Sequence, residues 1–238
     1  VSGRISFLGP GDDFPSTEEA LREPNGLLAA GGDLGPARLL AAYRRGIFPW
    51  YEEPQPVLWW SPDPRTVLFP AELHISRSLR RRLRQDGFGL AVDQRFNEVM
   101  RACAEPRKDG LGTWIGTDML RAYTALHYRG VAHSIEVLGP GGELLGGLYG
   151  IALGRVFFGE SMFSRSTDAS KVALVALVDI LLRGGYALID CQVGNPHLRS
   201  LGARELDRLD FEQHLAQNID LQTDPGCWFL PDSCGGLA

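Results

Sequence analysis

Glu160, Asp190 and Gln192 are the side chains best suited to handling an amine or a proton, and they fall in two polar stretches, Gly159-Glu-Ser-Met-Phe-Ser-Arg165 and Leu188-Ile-Asp-Cys-Gln-Val193. A carboxylate of this kind is otherwise one half of an ordinary ion pair, so residue type alone does not assign a role. Ser161 offers a different chemistry. Gly159-x-Ser161-x-Phe163 nearly matches the nucleophile elbow of hydrolases, and Asp190 and His197 follow in hydrolase order. The elbow needs a small residue where Phe163 stands, because strand and helix approach closely there. Ser161 therefore reads as structural or as a hydrogen-bond donor, and His197, beside Pro196, as a packing or loop histidine.

Between the two stretches Val172 to Leu182 is almost wholly apolar, with Ser166-Thr-Asp168 in front and Arg183-Gly-Gly185 behind. That pattern predicts a buried helix with an N-cap and a glycine stop, too short to span a membrane. Strand, helix, strand in one sheet implies parallel strands with a crossover. Period-two alternation then puts Asp190 and Gln192 on one face of the second strand, and Phe157 and Gly159 on one face of the first. A loop for coenzyme A would bring glycines and backbone N–H groups to a pyrophosphate, whereas Arg165-Ser-Thr-Asp168 brings a carboxylate. No nucleotide loop, dinucleotide fingerprint or metal-ligand spacing is found, so no cofactor and no metal are expected.

The 238 residues, 44% hydrophobic and 22% charged, are enough for one large domain or two unequal ones. The net charge of -5 does not announce a nucleic-acid binder, so any basic surface must be local. Cys103, Cys191, Cys227 and Cys234 show no paired spacing, and Val1 to Gly11 no secretory signal, so a cytoplasmic protein is expected. Residues 1–65 read as a small N-terminal domain, irregular apart from a helix from Gly35-Pro36 to Arg45. Its rings, in Gly46-Ile-Phe-Pro-Trp50 and Leu58-Trp-Trp60, either pack onto the larger domain or line a pocket. The turn-rich Ser61-Pro-Asp-Pro-Arg65 is the expected link. Beyond it, residues 66–238 alternate helices with a strand meander, His133–Leu138, Leu144–Leu153 and Val156–Gly159, then a tail from Asp224 expected to be irregular. That order predicts an α+β fold with a mixed, largely antiparallel sheet. From Leu73 to Gln85, Arg77, Arg80, Arg81 and Arg84 share one helical face opposite Ile75, Leu79 and Leu83, with no acid between Glu72 and Asp86. Such a face is either simply solvated or a phosphate-binding surface.

Gly159–Arg165, Ala169-Ser-Lys171, Ile189–Val193, Gly46–Trp50, Trp59-Trp-Ser-Pro-Asp-Pro-Arg65, Gly112-Thr-Trp-Ile115 and His133-Ser-Ile-Glu-Val137 resemble the leucyl/phenylalanyl-tRNA protein transferases, in collinear order from about residue 26 to about 214. The resemblance implies an acetyltransferase-like (GNAT) fold. It also implies transfer of Leu, Phe or Met from aminoacyl-tRNA to proteins with N-terminal Lys or Arg, which marks them for N-degron degradation. It places Trp50, Trp114, Leu148, Phe157, Gly159 and Ser161 at an aminoacyl pocket. Glu160 is placed by the donor's adenosine end or amino group, Asp190 and Gln192 by the acceptor amine, and Arg77, Arg80, Arg81 and Arg84 on tRNA. A monomer without membrane contact is expected. Asp190 would either relay a proton through Gln192 or hold a cationic acceptor. An α-amine of pKa roughly 7.7–8.0 is about a tenth neutral at pH 7, whereas positioning supplies roughly 7–11 kcal/mol. The competing class is a noncatalytic RNA-binding module.

Overall fold

The computed structural model describes residues 5–105 and 115–237, a mixed α+β arrangement with two sheets and seven α-helices among those residues. The expected irregular N-terminal segment is corrected. β1 (Ser6–Leu8), β2 (Leu27–Gly31), β3 (Phe48–Pro49) and β4 (Leu58–Trp60) form a sheet in the order β1-β2-β4-β3, with α1 (Pro36–Tyr43) connecting β2 to β3. Strands this short, set among Gly and Pro, leave no alternation for a sequence reading to detect. Trp59 is fully buried, donates its indole N–H to Gly31 O at 2.9 Å and meets Phe14 edge-on. These rings join one apolar cluster that continues into the large sheet through Tyr149 and Phe158, so the small sheet shares its core with the large one.

The large sheet comprises β5 (Arg65–Leu68), β6 (Gly89–Val92), β7 (Ala132–Leu138), β8 (Leu144–Leu153), β9 (Val156–Ser164), β10 (Leu188–Gln192) and β11 (Arg204–Leu206). Their order is β11-β5-β10-β9-β8-β7-β6, antiparallel throughout except for the parallel pair β9 and β10. The helices are α2 (Arg77–Arg84), α3 (Phe96–Cys103), α4 (Thr117–His127), α5 (Ala169–Arg183), α6 (Pro196–Ser200) and α7 (Arg208–Asn218). Alternation on β8 sends Leu148 into the cluster built on α5, while Tyr149 and Ile151 face the cluster with α3 and α4. Burying both faces is why the strands carry few charges.

Three local expectations change. β9 runs on to Ser164 instead of ending at Gly159, because it stays paired with Gly146–Tyr149 after a slip in the ladder. Gly150 permits the close approach at that slip, since a Cβ there would lie 2.2 Å from Phe158 O. Asp168 stands at the N-cap of α5 but makes no cap bond. Its left-handed φ of 66° turns the carboxylate to Lys171 at 2.7 Å. The tail is ordered: Leu90 donates to Asp232 O at 2.9 Å, Cys234 N–H to Phe88 O at 3.0 Å, and Gly235 N–H to Asp86 Oδ1 at 2.6 Å. It thereby straps the end of α2 to the edge strand β6. Among the described residues no helix is long and apolar enough to cross a membrane.

Candidate active site

β9 and β10 are paired through Phe158 and Asp190, and both distort immediately afterwards. On β9 the register against β8 slips between Gly159 and Ser161, which leaves Glu160 as the extra residue. On β10 the register against β5 slips between Asp190 and Gln192, and Gln192 takes a left-handed φ of 54°. Bulges re-aim side chains where pairing ends, and the carboxyl ends of parallel strands are where an open sheet offers a crevice. A cavity of about 490 Å³ lies there. Phe157, Leu148, Leu174 and Gly159 are among its apolar lining, and Glu160, Gln192 and Trp50 also line it. The plain alternation expected for Asp190 and Gln192 is interrupted by the slip, which brings the Gln192 amide to Glu160.

Glu160 is held from three sides. Tyr43 of α1 donates to Oε1 at 2.7 Å, Tyr123 of α4 to Oε2 at 3.0 Å, and Gln192 Nε2 approaches Oε1 at 3.4 Å. The two tyrosine hydroxyls also lie in contact, and since each carries one proton, all three contacts are filled only when Glu160 is protonated and donates to one of them. Burial outweighs these donors and pushes the carboxyl up to about 7; the Asp190 charge adds to the rise, and the Tyr43 and Tyr123 bonds and the Arg65 charge oppose it. A carboxyl titrating near neutrality suits proton exchange at physiological pH.

Beneath it, Asp190 is fully buried and gripped by Arg65, which is 1% exposed. Arg65 Nε donates to Oδ1 at 2.8 Å and Nη2 to Oδ2 at 2.7 Å, while Gln192 N–H reaches Oδ1 at 2.9 Å. The guanidinium lies between the rings of Phe48 and Phe211, at 4.8 and 4.6 Å. Asp190, expected beside the acceptor amine, thus has both oxygens occupied by protein donors.

Of the other sequence-predicted residues, Trp50, Leu148, Phe157, Gly159 and Ser161 all line the cavity, and Trp114 lies outside the described residues. Arg77, Arg80, Arg81 and Arg84 are exposed on α2 and none lines the cavity, while Leu79 and Leu83 are buried beneath them. Arg82 turns to the apolar side, its guanidinium over Phe88 at 4.3 Å. His197 also lines the cavity, and burial lowers its pKa. Burial raises the Cys191 thiol far out of the range of a neutral-pH nucleophile. Among the described residues no group of His, Cys, Asp and Glu is placed to hold a metal. Sequence reasoning did not single out Tyr43, Tyr123 or Arg65. Two of these come from separate helices with no motif around them, and Arg65 closes a stretch that reads as a turn.

The family model described as leucyl/phenylalanyl-tRNA protein transferase matches residues 67–216, and that of the same transferase's N-terminal domain matches residues 32–63. The leucyl/phenylalanyl-tRNA protein transferase of Stutzerimonas stutzeri (strain A1501) is 62% identical over 207 residues, 87% of this chain and 91% of that protein. The protein of the same name from Aromatoleum aromaticum is 60% identical over 224 residues, 94% of each. Among solved structures, that of L-PGS from Bacillus licheniformis is similar with a TM-score of 0.41 at 13% identity, over 66% of this chain and 50% of that one, too distant to bear on the reading.

Proposed function

The chain belongs to the leucyl/phenylalanyl-tRNA protein transferase family of aminoacyltransferases, and from that premise we propose that it moves Leu, Phe or Met from aminoacyl-tRNA to the α-amine of proteins with N-terminal Lys or Arg. Such proteins would thereby be marked for N-degron degradation in the cytoplasm. The observation that carries the reading is a largely apolar cavity whose lining includes a carboxyl titrating near 7. The slot takes an uncharged side chain, and its polar end takes the ester and the incoming amine.

In the transfer, the acceptor amine attacks the ester carbonyl, the new C–N bond forms, and the C–O bond to the terminal ribose breaks. The amine loses a proton and the ribose oxygen gains one. Glu160, fixed by Tyr43 and Tyr123, takes the amine's proton at Oε2, where Tyr123 is the donor. Gln192 orients the reacting groups, and Asp190 acts through Gln192, because its carboxylate is committed to the buried Arg65 fork. Catalysis is chiefly positioning, and no covalent enzyme intermediate is needed. We read the large sheet as acetyltransferase-like, with the domain division near residue 65 and the protein working as a monomer. The parallel pair parting at the cavity supports that fold reading.

Incubation with Leu-tRNA and a peptide with N-terminal Arg is expected to yield a leucylated peptide, detected by mass. A noncatalytic RNA-binding module would protect the tRNA and leave the peptide unchanged. Gly159→Leu tests the cavity. A Cβ at 159 meets nothing nearer than Asp190 O at 3.7 Å, so the backbone tolerates it and the added volume enters the slot. Transfer of Phe should fall more than that of Met, read as the ratio of kcat/KM for the two donors. An unchanged ratio would place the slot elsewhere.

We assign the α2 arginines to tRNA phosphates. Exposure of all four on one face, above a buried Leu79 and Leu83, supports this. Each phosphate contact contributes roughly -0.7 to -0.9 to the slope of log affinity against log salt. Replacing all four by Gln should flatten the slope by about 3 and raise KM for aminoacyl-tRNA. An aminoacylated adenosine, which lacks the tRNA body, should react equally with both proteins. Equal loss on both donors would mean that α2 is only structural.

A further inference from the structure

The Trp59–Arg65 motif ends in a residue that the reaction above does not yet use. Arg65 is the first residue of β5, next to β10, and its guanidinium carbon lies over the rings of both Phe48 and Phe211. Its fork meets both oxygens of Asp190, and its remaining nitrogen, Nη1, has no hydrogen-bond partner among the described residues. Burying a cation costs far more than a surface pair returns, and a pair made only for stability is often replaceable by apolar residues. This pair sits instead at the ladder slip that ends β10. Asp190 Oδ1 accepts both Arg65 Nε–H and the backbone N–H of Gln192, the residue with the left-handed φ. A left-handed conformation at a residue other than Gly, Asn or Asp is strained and persists only where neighbours enforce it. The direction of Gln192 Nε2 toward Glu160 follows from that turn.

We propose that Arg65 is a positioning residue for aminoacyl transfer: its planar fork fixes the Asp190 carboxylate, which holds Gln192 in its left-handed turn with the side-chain amide on Glu160. The proposal rests on the function read above. The fork matters as well as the charge, because one oxygen of Asp190 must stay aimed at the Gln192 N–H while the other is held. Lysine offers a compact ammonium that neutralises Asp190 without setting its plane, and it cannot lie between two rings as a guanidinium does. Gln192 would then be free to relax out of the strained turn.

The test is a double-mutant cycle of Arg65→Lys and Gln192→Ala, with an aminoacylated adenosine as donor and a peptide with N-terminal Arg as acceptor, on protein verified as folded by its melting curve. Arg65→Lys alone is expected to lower kcat at least 30-fold, with KM for both substrates within about 3-fold. In the Gln192→Ala background the same substitution should lower kcat by less than about 3-fold, because the residue it acts through is already gone. A structural role predicts instead that the two losses multiply. Should Arg65→Lys fail to fold, Phe211→Leu takes its place. It removes one ring from the stack, leaves every charge, and should show the same non-additivity with a smaller single loss. Full kcat in Arg65→Lys, or multiplying losses in the cycle, overturns the proposal. A wild-type protein that transfers nothing overturns the reading of function and this proposal together, and that result is separate from any variant.

Discussion

Asp190→Ala is expected to abolish detectable transfer and to lower the melting temperature at once. Removing the carboxylate leaves the guanidinium of Arg65 buried without a counter-charge, which typically costs about 3–5 kcal/mol. For a chain of this size that corresponds to a fall on the order of 10 °C. The same change frees the Gln192 N–H from the acceptor that holds its turn. Below the melting transition, affinity for aminoacyl-tRNA should stay within a few-fold, since the Asp190 carboxylate is neither on α2 nor in the lining of the cavity. Filter binding and peptide mass spectrometry on the same sample separate the two effects. An Ala variant that transfers at the wild-type rate removes Asp190 from the machinery, and an unchanged melting temperature removes the Arg65 pair from the core.

Glu160→Gln is expected to cost roughly 10²–10⁴ in kcat if the carboxylate takes the amine's proton. It should also change the shape of the pH profile. In the wild type two groups must lose protons for reaction, Glu160 near 7 and the acceptor amine near 7.7–8.0, so log kcat/KM should fall by two per pH unit well below 7. The Gln variant should fall by one. Stability responds with a sign of its own. An unfolded Glu titrates near 4.5 and the folded Glu160 near 7, so between these values the folded chain keeps a proton that the unfolded chain has lost. Stability therefore declines as pH rises through that window and levels above it, by on the order of 3 kcal/mol for this group. Glu136, buried on β7 and likewise pushed up to about 7, titrates in the same window. Glu160→Gln should remove about half of the decline measured by urea unfolding between pH 5 and 8. An undiminished decline would mean that Glu160 does not hold its proton in the folded protein.

What the sequence made legible follows from how each part is encoded. α5 is written as a long apolar run ended by Gly184 and Gly185, and it lies between two parallel strands as that pattern requires. The β7–β8 hairpin is written as two strand runs around Gly139–Gly142. Glu160 and Gln192 could be picked from the resemblance carried by their two stretches, yet the mechanism that brings them together could not. Each lies at a ladder slip, and a slip depends on partner strands rather than on local pattern. Arg65 was hidden because Pro62 and Pro64 give its stretch the look of a link, although it pairs as a strand with residues more than a hundred positions away. Tyr43 and Tyr123 approach Glu160 from two helices, so the site's donors are a property of packing.

The strap on α2 also sets a timetable for the newly made chain. Cys234 Sγ donates to Leu83 O across 151 positions of sequence, and Gly235 N–H to Asp86 across 149. At translation rates of roughly 5–20 residues per second, the arginine helix leaves the ribosome on the order of 10–30 s before the residues that tie it down. Through that interval a strongly cationic segment is exposed without its final anchor, beside a ribosome rich in RNA.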